Sequence, residues 1–143
     1  MSVLTQKFSE DEMYRALGTL LKPDEGIMAA IYCVYKDTGF FASSRHIMYG
    51  YAAITDQNRF VGFRSSFINT TALQFDMDNL IKLKISNALF GQKMVYAVFD
   101  DGFKSYKIKF QFSQKIYGVK FPHHTDNANI LTTLLLKQQD LLR

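Results

Sequence analysis

The sequence predicts an α+β fold: a bent antiparallel sheet or partly open barrel of about seven strands, capped by a C-terminal helix, with an extra N-terminal helix. Three observations lead there. Tyr106 to Phe112 alternates apolar residues with Lys or Gln, and Leu80 to Ser86 repeats the pattern, so each puts an apolar face and a polar face on a sheet. Met94 to Phe99, between them, is apolar throughout, as a central strand covered on both faces is. The two ends of the chain instead carry apolar residues at helical spacing.

One domain over residues 1–143 accounts for the length, with a helix over about 9–22, the sheet over about 26–120 and a closing helix over about 126–142. At the start, Ser9-Glu10-Asp11-Glu12 has the form of a capping box, with Phe8 and Met13 placed as a hydrophobic staple. Met13, Ala16, Leu17, Leu20 and Leu21 follow on one face, and Lys22-Pro23 is the expected stop, because the residue before Pro avoids the α region. Gly26 to Tyr35 is apolar on both faces and reads as the first strand. Phe40 to His46 reads as an edge strand or a long loop. Met48 to Ile54 and Arg59 to Arg64 form a hairpin around Asp56-Gln57-Asn58, and Thr71 to Phe75 is a short strand. The three-strand meander comes next, with a tight turn at Asp100-Asp101-Gly102, where Gly accepts positive φ. Ser113 to Pro122 is an extension or loop. In the last helix Ile130, Leu131, Leu134, Leu135, Gln138 and Leu141 share a side, and Asp126 is placed to cap it.

Several short motifs resemble those of bacterial PH-like domains of the YokE type. They are Leu20-Leu21-Lys22-Pro23-Asp24-Glu25 before an apolar strand, the hairpin from Tyr51 to Val61 around Thr55-Asp56-Gln57-Asn58-Arg59, and the acidic step Phe75-Asp76-Met77-Asp78 into a strand. The resemblance covers roughly residues 20–142, and the aromatic stretch from Phe40 to Met48 is longer than its pattern. It implies a seven-strand bent sheet closed by a helix, a GRAM-like or PH superfold platform for a ligand or partner, with no known catalysis. A fold by itself does not license a function.

The search for chemistry narrows the function classes. His123-His124 are adjacent, and neighbouring side chains on an extended chain point apart, so a metal site is not expected there; a solvated loop is. Cys33 is the one cysteine, so it has no intrachain partner, and its apolar run makes it a core residue with a suppressed thiolate. Ser43-Ser44 before Arg45-His46 lacks a third group to orient the His. Asp76/Asp78 and Asp100/Asp101 read as strand-entry and turn residues rather than an acid–base pair. No Gly-rich phosphate loop is present. The expectation is therefore no enzyme, no cofactor and no metal. MSVLTQKFSEDE lacks the basic-then-apolar order of a secretory leader, no run of about 18 apolar residues exists, and the lone cysteine fits a reducing compartment, so a cytoplasmic location is expected.

Two surfaces remain as candidates. From Asn79 to Lys120 there are eight Lys against Asp100 and Asp101, a local +6 in a chain of net +4. If the meander is right, Lys82, Lys84, Lys107 and Lys109 face outward together, as an anionic-surface patch. Lysines on exposed strands also keep a sheet soluble and discourage edge pairing. The second is the aromatic set Phe40, Phe41, Tyr49 and Tyr51, which suits a partner contact or a core equally well. The leading expectation is a noncatalytic module that binds an unknown protein partner or itself. Docking on an anionic lipid surface is the alternative, and a small-ligand carrier or enzyme the third reading. The mild net charge argues against nucleic acid.

Overall fold

A computed structural model describes residues 8–36, 48–65, 70–115 and 120–142. Within them a seven-stranded antiparallel sheet lies between two helices: α1 (Glu10–Gly18), β1 (Ile27–Tyr35), β2 (Met48–Thr55), β3 (Arg59–Ser65), β4 (Thr70–Asp76), β5 (Leu80–Asn87), β6 (Gln92–Asp100), β7 (Ser105–Ser113) and α2 (His124–Leu141). The strand order is β4-β3-β2-β1-β7-β6-β5. β4 and β5 are both edges, so the sheet curves without closing. The expected sheet-and-two-helix architecture is the one observed.

Alternation along each strand divides the side chains between two cores. The concave face supplies Ile31, Cys33, Tyr35, Ile54, Phe60, Leu83, Val95, Ile108 and Phe110, which pack on Ala128, Leu131 and Leu135 of α2. The convex face of β1, β2 and β3 supplies Ala30, Tyr51, Ala53 and Val61, which pack on Met13 and Leu17 of α1. This explains why β1 is apolar on both faces: one helix covers each side. α1 reaches no further than that half of the sheet. The convex face of β5, β6 and β7 carries lysines, and among the described residues no helix lies over it.

Two close approaches fix the β2–β3 pairing. A Cβ on Gly50 would sit 1.8 Å from the Phe63 carbonyl oxygen, and one on Gly62 would sit 2.6 Å from the Tyr35 hydroxyl. The space at Gly62 is what lets that buried hydroxyl donate to the Tyr51 carbonyl at 2.7 Å, satisfying a polar group that would otherwise be orphaned.

The helix ends differ from the local reading. Ser9 caps α1 as expected, its hydroxyl accepting from the Glu12 N–H at 3.2 Å. The Glu12 carboxylate turns away to Arg15 instead of completing the box. α1 stops at Gly18, before Lys22-Pro23, because the Thr19, Leu20 and Leu21 N–H groups bond back over three residues in a tightened final turn. α2 begins at His124, and Asp126 lies in its first turn without capping it. The two helix starts are tied together. The Glu10 N–H donates to the Lys120 carbonyl at 2.7 Å, and the Glu10 carboxylate takes the His123 backbone N–H at 2.9 Å and its Nδ1 at 2.6 Å. Ile130 and Leu141, expected on the packed side of α2, are exposed; the helix seats a narrow stripe of Ala128, Leu131 and Leu135, with Leu134 half-buried beside it, in the sheet.

Candidate functional site

The β5-β6-β7 meander places the four lysines as two rows. Lys82 lies opposite Val98, which lies opposite Lys107. Lys84 lies opposite Tyr96, which lies opposite Lys109. Neighbours along a strand are about 7 Å apart and those across β6 about 10 Å apart at the backbone. Lys82, Lys84 and Lys107 are exposed and Lys109 is half-buried. The Lys82 ammonium sits 5.6 Å from the centre of the Tyr96 ring, a favourable cation–π placement. None of the four enters an ion pair among the described residues. Repulsion between adjacent members is about 0.5 kcal/mol in water before screening, so the fold tolerates the cluster.

Apolar side chains bracket this face. The β5–β6 connection carries Leu89, 79% exposed, and Phe90, 95% exposed. Phe90 has φ 61° and Gly91 has φ 72°, and a bulky residue rarely occupies that left-handed region. At the far end of β6, Phe103 is 98% exposed. The Asp101 carboxylate holds that turn by accepting from the Phe103 and Lys104 N–H groups, both at 2.9 Å. Those bonds lower its pKa below the ordinary carboxylate value, so it is an ionised turn anchor rather than a proton donor.

The aromatic candidates separate. Tyr51 is only 3% exposed. Its ring packs edge-on against Phe8 at 5.6 Å, because α1 and the segment before it cover this part of the sheet. It is a core residue rather than a partner contact. Tyr49 is 38% exposed and stacks on Tyr32 with ring centres 6.4 Å apart. Phe40 and Phe41 lie outside the described residues, as do Ser43, Ser44 and His46.

The other sequence candidates have structural employment. Burial raises the Cys33 thiol far above its ordinary range. Asp76 Oδ1 accepts from the Asp78 N–H at 3.0 Å, and Asp78 accepts from the Asn58 amide at 3.2 Å. His124, expected in a solvated loop, is buried: its Nε2–H donates to the Ser113 carbonyl at 2.7 Å while Nδ1 has no hydrogen-bond partner among the described residues. Burial therefore pushes its pKa down. His123 is exposed and shifts up, through its hydrogen bond to Glu10 and then that carboxylate's charge. No group of three or more His, Cys, Asp or Glu among the described residues is placed to hold a metal ion.

Local reading missed the strongest buried polar contact. Arg59 donates through Nη1 to Glu25 Oε1 at 2.5 Å and through Nη2 to Gln74 Oε1 at 2.7 Å. Glu25 also takes the Thr55 hydroxyl at 2.6 Å and the Lys22 N–H at 2.8 Å. Burial opposes ionisation of Glu25, but the Thr55, Lys22 and Arg59 donors prevail and its pKa lies below the ordinary value. The pair clips the segment after α1 to the β2–β3 hairpin. Arg59 flanks that hairpin in the sequence, but nothing local points to Glu25.

Among solved structures, the chain is similar to the hSac2 domain from human phosphoinositide phosphatase Sac2, with a TM-score of 0.55 and 11% identity over 94% of this chain and 86% of that one. The fold is PH-like. No protein-family model matches the chain, and no curated protein matches it. At 11% identity the likeness speaks for the fold alone. No helix among the described residues is long and apolar enough to cross a membrane.

Proposed function

We propose that this chain is a noncatalytic PH-like binding module that docks an acidic protein partner on the convex face of β5, β6 and β7. One observation carries the reading: four lysines converge on the convex face of β5, β6 and β7, which no helix covers among the described residues, and none has a carboxylate partner among those residues. Such a face steers and holds an anionic surface. It does not favour self-pairing, since a two-fold contact sets the same patch on both copies and opposes Lys to Lys. Self-association falls instead to the exposed Leu136, Leu141 and Leu142 near the end of α2.

A second reading, docking on an anionic bilayer, is favoured by Leu89, Phe90 and Phe103 standing clear of the surface at the two ends of the lysine face. At about 1 kcal/mol per basic residue near an anionic membrane, four lysines give an attraction of about 4 kcal/mol.

Poly-glutamate and phosphatidylserine vesicles serve as the two probes, each at low and high salt. The chain is expected to bind poly-glutamate at low salt, to release it as salt rises, and to lose it when Lys82, Lys84, Lys107 and Lys109 are all changed to Gln. Vesicle binding that falls with both Phe90→Ser and the lysine changes moves the assignment to the membrane. Equal behaviour of wild type and the four-Gln variant toward both probes overturns the lysine face as a docking surface.

A further inference from the structure

The two free edges of the sheet are built differently. β5 carries Lys82 and Lys84 and a register shift between Leu80 and Lys82. Charge and a bulge are devices that discourage a further strand from pairing. β4, Thr-Thr-Ala-Leu-Gln-Phe-Asp, has no Lys, no Pro and no register shift along its seven pairs with β3. Its other side is unpaired by any strand among the described residues.

A cleft of about 560 Å³ runs along that bare edge, between β4 and the end of the β6–β7 hairpin. Leu73, Phe75, Phe99 and Tyr106 contribute its apolar lining. Phe75 stacks on Phe99 with ring centres 4.6 Å apart, and Tyr106 lies 5.5 Å from Phe75. The ends of the cleft differ in charge. Arg64, opposite Thr71, is half-buried at one end and has no ion pair among the described residues. Asp76 and Asp101 lie at the other. From Thr71 to Asp76 an extended chain covers about 17 Å, the reach of a six-residue segment.

We propose that β4 accepts an extended peptide as an added strand, with an acidic residue at the Arg64 end, a basic residue at the Asp76–Asp101 end and apolar side chains entering the cleft between them. Backbone hydrogen bonds along β4 supply affinity and the alternate side chains supply selection. This site uses none of the four lysines, so it stands or falls apart from the docking reading above.

The probe is a pool of capped hexapeptides, acidic first and basic last, with Val, Ile or Phe at alternate positions between. Amide hydrogen exchange of the full chain reads the outcome. The expected result is protection of β4 amides by selected members and no protection by the same members N-methylated along the backbone. Arg64→Gln should weaken binding about tenfold or more, because it removes a charge-assisted contact. Thr71→Lys, which supplies the edge charge that β4 lacks, should weaken it further, and the four-Gln lysine variant should bind as wild type does. The proposal is overturned if no member of the pool protects β4 at millimolar concentration. Binding that ignores N-methylation, Arg64→Gln and Thr71→Lys overturns it equally.

Discussion

Changing Arg59 to Met removes the cation from the Glu25 carboxylate while keeping most of the volume of the Arg stem. The Glu25 side chain is fully covered and Arg59 is 9% exposed, so water cannot replace what is lost. The carboxylate keeps the Thr55 and Lys22 donors, but its charge is uncompensated. Breaking a buried pair from one side costs about 3–5 kcal/mol, which for a domain of this size lowers Tm by about 10–20 °C. The double variant Glu25→Gln/Arg59→Met should be milder than Arg59→Met alone, because it leaves no buried charge. The pH dependence carries a sign that a generic packing defect lacks. In the native chain Glu25 has a lowered pKa, so its contribution is complete above the unfolded value and is lost as pH falls through the folded one. In Arg59→Met the Thr55 and Lys22 bonds still lower the carboxyl's pKa but the Arg59 charge and hydrogen bond do not, so it rises relative to wild type and the variant should recover part of its stability deficit as pH falls through the carboxylate range. Urea midpoints across that range provide the assay. A loss under about 1 kcal/mol with the same pH slope as wild type would show that the pair counts for no more than a surface salt bridge.

Two further predictions rest on the histidines and on one glycine. His124 has a lowered pKa and His123 a raised one relative to 6.5. The first therefore contributes stability that is complete above 6.5 and erodes as pH falls, whereas the second contributes below 6.5 and fades as pH rises through its folded value. His124→Phe should flatten the acid loss, and His123→Ala should steepen it, both read as the difference in urea midpoint between about pH 5.5 and about pH 7.5. Gly50→Ala should destabilise by about 3 kcal/mol, because the added methyl meets the Phe63 carbonyl oxygen; a thermal melt within about 2 °C of wild type would mean that β2 and β3 separate cheaply there.

What the sequence made legible follows from range. Alternation in Lys82 to Ser86 and Tyr106 to Phe112 reports which face each side chain takes, and the register of β5, β6 and β7 bears this out; Ile81, which the same alternation sets beside Leu83 and Ile85, falls in the irregularity between Leu80 and Lys82 and is exposed. The Ser9 cap is local to its helix and could be read directly. The start of α2 could not, because what sets it is Glu10, 113 residues away, holding the His123 backbone. The Glu25–Arg59 clip spans 34 residues and left the same silence. Tyr51 was open to a core or a contact reading, since only the position of α1 over β1, β2 and β3 decides between them. The cleft beside β4 has no sequence signature at all: it arises where a sheet bends without closing, and it brings Arg64 of β3 and Tyr106 of β7 to one lining.

The most direct test of the docking account is a two-dimensional amide NMR titration of the chain with poly-glutamate at low salt. The account predicts that the largest shifts fall on Lys82, Lys84, Tyr96, Lys107 and Lys109 and fade together as salt is added. Shifts confined to strands β1 to β3 under α1, or no salt-sensitive shift on β5, β6 and β7, would contradict it.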